Sequence, residues 1–155
     1  MKKILLILSY LRYTPDTVTQ AIQIAKERNA TLVVLFVVDI EFADGIVHKL
    51  SDEGWIGGKP SQQLYRSLLR EYKLQAEDKV RQIETQAVEQ GLSIRAIIKN
   101  GSVLQEVLKL AELEEPDMII ITRRHRSRLS RKILGSLPDA LRKQVNCEVT
   151  IIDAD

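Results

Sequence analysis

Asp117-Met-Ile-Ile-Ile-Thr-Arg-Arg-His-Arg-Ser-Arg-Leu-Ser-Arg-Lys-Ile-Leu-Gly-Ser136 is the stretch that decides how the chain folds. Met118 to Ile121 is an apolar run too short for a helix and suited to a buried strand. The run then turns cationic through Arg123, Arg124, Arg126, Arg128, Arg131 and Lys132. It closes on Gly135-Ser136, before Leu137-Pro138-Asp139. Ser136 is a good helix N-cap, Pro138 is tolerated in a first turn, and Asp139 completes a capping box. Strand, basic loop and helix N-terminus follow one another, and in an open α/β sheet that junction is where anions bind.

Working outward, Ile4 to Leu8 is uniformly apolar, as in a strand buried on both faces. Thr14 or Asp16 caps a helix carrying Val18, Ala21, Ile22 and Ala25 at helical spacing, and Asn29 ends it. Thr31 to Val38 is a β-branched second strand. Asp39 to Pro60 has no sustained period, carries four glycines and Trp55, and is expected to be a long loop with at most a helical turn near Ile46 to Leu50. Trp55 packs that loop onto the body or forms a ligand lid.

Ser61 to Gln90 is an amphipathic helix with Ala76, Val80, Ile83 and Ala87 on one side and Gly91 as its stop. Leu92, Ile94, Ala96 and Ile98 alternate with polar residues, which marks an edge strand. Ser102 with Gln105 signals a capping box, and Leu104, Val107, Leu108 and Ala111 give the next helix its buried stripe. Pro116 stops that helix. Ala140, Leu141 and Val145 face inward on the last helix, and Cys147 to Ile152 is the last strand.

Strands alternate with helices throughout. The expected fold is α/β, a three-layer open five-stranded parallel sheet with helices on both faces, in the order 3-2-1-4-5. A length of 155 residues favours one domain, residues 1–155. The net charge of +2 is too small to imply nucleic acid, and no aromatic residue interleaves the basic cluster to stack bases. One cysteine, Cys147, precludes an intrachain disulfide and fits a reducing compartment. Met1-Lys2-Lys3 before Ile4 to Leu8 imitates a signal peptide but lacks a cleavage site, and no run is long enough to span a membrane. Cytoplasm is the expected location, with no membrane insertion.

The stretch from Thr122 resembles the C-terminal motif of universal stress proteins: a glycine, two residues, a second glycine, nine residues, then Gly-Ser or Gly-Thr. Thr122 stands at the first glycine, His125 at the second, and Gly135-Ser136 closes the pattern. Leu129-Ser130-Arg131 and Ile133-Leu134 also resemble the family, as do Gly101 with Val107-Leu108 and Ala111, and Cys147 with Val149 to Ile152, where Glu148 replaces a frequent proline. In ATP-binding members an aspartate ends the first strand, where this chain has Ser9. Glycine is needed in the motif because backbone must approach phosphate closely and take φ > 0, where a β-branched residue such as Thr122 is an outlier.

The resemblance therefore implies the family branch without the nucleotide motif: a regulatory, non-catalytic stress-response domain, with no cofactor or tight ATP binding, working through protein partners. It also implies a homodimer through the last strand, where Val149, Ile151 and Ile152 would form an apolar edge.

A second reading is a nucleotide- or anion-binding sensor. Arginine forks hold phosphate where backbone N–H groups do not. ATP, AMP or another phosphate-bearing ligand would then meet Ser9, Val38, Asp39, Arg124, Arg131, Gly135 and Ser136. A solvated charged loop explains the same arginines. A third reading, an enzyme of a related α/β nucleotide-hydrolase fold, lacks a glycine-rich phosphate loop, a nucleophile elbow or a paired-acid motif. His125 has no His, Cys or Glu at ligand spacing, and His48 lies far from it in the chain, so no metal site is expected.

Overall fold

The computed structural model describes residues 2–52, 54, 59–124 and 137–154. Among these residues ten elements follow in order: β1 (Lys3–Ser9), α1 (Pro15–Glu27), β2 (Thr31–Asp39), α2 (Ile40–Asp52), α3 (Lys59–Glu89), β3 (Ile94–Gly101), α4 (Val103–Glu114), β4 (Met118–Arg124), α5 (Leu137–Gln144) and β5 (Glu148–Ala154). The five strands form one sheet in the order β3-β2-β1-β4-β5. Every pairing is parallel, with Leu6 opposite both Val34 and Ile120. The expected fold and strand order are those observed.

Apolar runs in β1, β2 and β4 are dictated by this position, because alternate side chains enter different layers. Ile4, Leu6 and Leu8 join Val18, Ala21 and Ile22 of α1 and Ala76, Val80 and Ile83 of α3. Leu5 and Ile7 join Val107 and Leu110 of α4 and Leu141 of α5. β3 has sheet partners on one side only and is half-exposed.

Local chemistry sets the boundaries. Thr14 caps α1, its Oγ1 accepting from Thr17 N at 3.0 Å, with Pro15 and Asp16 in the first turn. Asn29 ends α1 at φ 53° and Gly91 follows α3 at φ 74°. Ala30 N donates to Ala25 O, and Leu92 N to Ala87 O, so both helices close with a left-handed residue and a six-to-one bond.

At the start of the sheet Lys3 Nζ meets Glu114 Oε2 at 3.0 Å, Arg95 pairs with the same carboxylate, and Lys3 N donates to Asp117 Oδ2 at 2.8 Å. These contacts pin the start of β1 to the end of α4.

Two expectations are corrected. Residues 39–60 are not a long loop: Ile40–Asp52 is a 13-residue helix and α3 starts at Lys59. Ala43 and Val47 are buried with Ile46 and Leu50 beside them, a helical repeat that the exposed Gly45 and the glycines after Asp52 obscure. Ser102 occupies the N-cap position of α4, but its side chain makes no capping hydrogen bond. Trp55 lies outside the described residues.

Candidate functional site

The crevice of an open sheet lies where strand order reverses, here between the C-terminal ends of β1 and β4. Ser9 ends β1 and is 3% exposed. By alternation its side chain lies on the α4–α5 side, with Leu5 and Ile7. Its hydroxyl has no hydrogen-bond partner among the described residues. The chain turns just after it, Arg12 N donating to Ser9 O at 3.0 Å.

Across the crevice, β4 does not end at Thr122. It pairs with β5 through Thr122↔Ile152, Arg123↔Asp153 and Arg124↔Ala154. Thr122 is fully buried, and among the described non-glycine residues only Asn29 and Glu115 have positive φ. Thr122 therefore sits in ordinary extended backbone.

Its hydroxyl donates to Thr17 Oγ1 at 3.1 Å, and Thr17 Oγ1 lies 2.7 Å from Thr14 Oγ1. The three hydroxyls form a row that ties β4 to the N-terminus of α1. Arg12 Nη1 donates to the carbonyl of Thr122 at 2.7 Å, a charge-assisted bond that closes the same gap from the β1–α1 turn.

The other proposed contacts are placed as follows. Val38 is 2% exposed and packs in the layer below α1 and α3, leaving main chain at the strand end. Asp39 Oδ1 accepts from Phe42 N at 3.2 Å, so this carboxylate caps α2. Arg123, first of the basic run, donates from Nε to Asp153 Oδ1 at 2.8 Å, and that bond raises its pKa further. Arg124 ends β4, but its side chain lies outside the described residues, as do His125, Arg131, Gly135 and Ser136 entirely. α5 opens directly after Ser136, with Pro138 buried and Asp139 in its first turn.

One feature of the crevice wall escapes sequence reasoning. Tyr10 lies 5.6 Å from Phe42 and 4.9 Å from Tyr72 between ring centroids. The three rings come from the end of β1, the first turn of α2 and the middle of α3, so no spacing along the chain predicts their meeting. They lock the α2–α3 pair against the strand end, and burial, then the nearby Tyr10, raises the Tyr72 pKa. Beside them Lys79 Nζ sits 5.0 Å from the Tyr13 ring centroid.

Among the described residues no group of three or more His, Cys, Asp or Glu side chains could hold a metal ion. No helix among them is long and apolar enough to cross a membrane. Cys147 precedes β5 and is half-buried; burial, above all, raises its thiol pKa.

Val149 and Ile152 are buried in the chain's own two layers, one on each face of β5. The apolar edge expected from the sequence is therefore not an exposed row of side chains. What β5 leaves open beyond its pairing with β4 is main-chain N–H and C=O.

The chain is 27% identical over 137 residues to a universal stress protein of Methanocaldococcus jannaschii, covering 88% of this chain and 73% of the relative. It is 24% identical over 151 residues to one from Synechocystis, covering 97% and 96%. Among solved structures, UspA from Lactobacillus plantarum aligns with a TM-score of 0.71 at 19% identity, covering 97% of each chain. An Arabidopsis thaliana family protein with AMP bound aligns at 0.60 and 16% identity, covering all of this chain and 93% of that one. A universal stress protein in complex with cAMP aligns at 0.53 and 14%, over the full length of both. At these identities the structures speak for the fold alone. The model of the universal stress protein family matches residues 1–153, nearly the whole chain, and the protein belongs to that family.

Proposed function

We propose that this chain is a regulatory, non-catalytic universal stress protein, a cytoplasmic homodimer that acts through a protein partner and holds no ATP tightly. The observation that carries this reading is Thr122. Where the family pattern has its first glycine, this chain keeps a buried β-branched residue in extended strand, its hydroxyl bonded to Thr17. A phosphate cradle needs close backbone approach and freedom at φ > 0, and Thr122 offers neither. Arg12 donates to the Thr122 carbonyl, a contact that a departing loop would break.

A second reading is favoured by the relatives solved with AMP and with cAMP. There the chain is a nucleotide or anion sensor. Arg124, Arg131, Gly135 and Ser136 would hold the phosphate end, with Ser9, Val38 and Asp39 lining the base and ribose end. The Ser9 hydroxyl, buried and without a hydrogen-bond partner among the described residues, suits that role. A third reading, a nucleotide hydrolase, would require measurable ATP turnover by the purified protein.

Retained nucleotide separates the first two. Protein purified without added nucleotide and denatured in acid is expected to release no ATP or AMP above background. Release approaching one equivalent would establish the sensor reading in its place. For assembly, open main chain on β5 calls for a partner strand, and pairing with the same strand of a second copy covers it isologously through Val149 to Ile152. Equilibrium sedimentation at micromolar concentration is expected to give the dimer mass; a monomer there would remove this interface.

A further inference from the structure

At the opposite end of the sheet from the crevice, the last turns of α4 and α5 part to leave a groove of about 660 Å³, within the range of binding clefts. Leu108, Ala111, Pro116 and Val145 give it an apolar floor, and Glu112 and Glu115 stand on its rim. Both carboxylates are exposed, and neither makes an ion pair among the described residues. Glu114, between them in the chain, is different: it is turned away into its pairing with Lys3 and Arg95.

The position of these acids runs against helix electrostatics. A helix C-terminus carries negative partial charge and favours cations, yet the last turn of α4 holds no basic residue. α5 also directs its C-terminal end here, through Gln144, while Arg142 and Lys143 of its last turn do not line the groove. Asp117 and Glu148 add negative field, since both raise the pKa of the Cys147 thiol on the groove wall. Lys3 Nζ answers the α4 end at the Glu114 carbonyl, 3.4 Å away, Arg142 and Lys143 answer the α5 end, and Arg28 pairs with Glu148 at 3.2 Å, so among the described residues the charge left unanswered beside the apolar floor is that of Glu112 and Glu115.

We infer that this groove docks a cationic segment of a partner protein, a Lys or Arg side chain lying between Glu112 and Glu115 and a neighbouring apolar side chain covering Leu108, Ala111 and Val145. Charge complementarity selects this occupant: an acidic segment would be repelled, and a purely apolar one would leave the rim unanswered. The groove is remote from the β1–β4 crevice, so the inference stands whether or not that crevice takes a nucleotide.

The test uses the isotope-labelled full chain and two synthetic five-residue peptides, one alternating leucine with lysine or arginine and one alternating leucine with glutamate. The basic peptide is expected to shift the amide resonances of Ala111, Glu112, Glu115, Asn146 and Cys147, and to bind more weakly as salt rises. Glu112→Gln with Glu115→Gln changes only exposed side chains, so the fold is kept, and the basic peptide should bind it at least about threefold more weakly. Equal binding of the acidic peptide, shifts centred on another surface, no binding at millimolar peptide, or an unchanged double variant would each overturn the inference. So would shifts at the same residues that follow protein concentration without peptide, which would assign the groove to a second copy of this chain.

Discussion

Leu6→Ala is expected to lower the free energy of unfolding by about 2–5 kcal/mol. Leu6 sits at the middle of β1, the central strand, paired to Val34 on one side and Ile120 on the other. It is fully buried in the layer beneath α1 and α3. Truncation removes its transfer free energy and leaves a cavity that the neighbouring α1, α3, β2 and β4 cannot jointly collapse, because β1, β2 and β4 are held by their ladders. In a chain of this size the loss corresponds to a fall in melting temperature of roughly 5–15 °C. Urea unfolding should show a lower midpoint at unchanged slope. A loss under about 1 kcal/mol would mean that β1 is not the packed centre of the sheet.

Thr17→Val comes second, at about 1–3 kcal/mol, although it changes shape hardly at all. Thr17 is fully buried and stands in the middle of the hydroxyl row, between Thr122 at 3.1 Å and Thr14 at 2.7 Å. The valine variant leaves the Thr122 hydroxyl buried and unpaired, and that desolvation cost is the effect measured. Thr17→Ser should lose less, since the hydroxyl remains. Thr17→Val combined with Thr122→Val should cost less than the two single changes added, because both ends of one bond are removed together. Strict additivity in that cycle would show that the two hydroxyls do not interact.

The sheet was legible because its signals are local. Ile4 to Leu8, Thr31 to Val38 and Met118 to Ile121 are apolar on both faces, which only a covered parallel strand requires. Leu92 to Ile98 alternates, and β3 is accordingly at an edge. Asn29 and Gly91 mark helix ends because a left-handed residue must stand there.

α2 was missed although Ala43, Ile46, Val47 and Leu50 keep helical spacing. Gly45 and the nearby turn residues outweighed four apolar positions, and tertiary packing against α3 overrides that local preference. In the crevice the absence of glycine at Thr122 could be read from the sequence, but what replaces it could not. Thr17 and Thr122 lie 105 residues apart and meet only after α1 packs beside β4. Separation along the chain likewise hides Arg12 from the carbonyl it serves, and the three rings of Tyr10, Phe42 and Tyr72 from one another. Charge runs are equally opaque. Arg123 reads as a free cation at the start of a basic loop and is instead bonded to Asp153 on the neighbouring strand.

Calorimetric titration of ATP and AMP into the purified protein, at low and moderate salt, tests the central claim about Thr122 most directly. The account predicts no binding stronger than about millimolar, roughly −4 kcal/mol, for either nucleotide. Micromolar binding that disappears in Arg124→Ala or Arg131→Ala would contradict it and show that arginine side chains had taken over the work of the missing glycines.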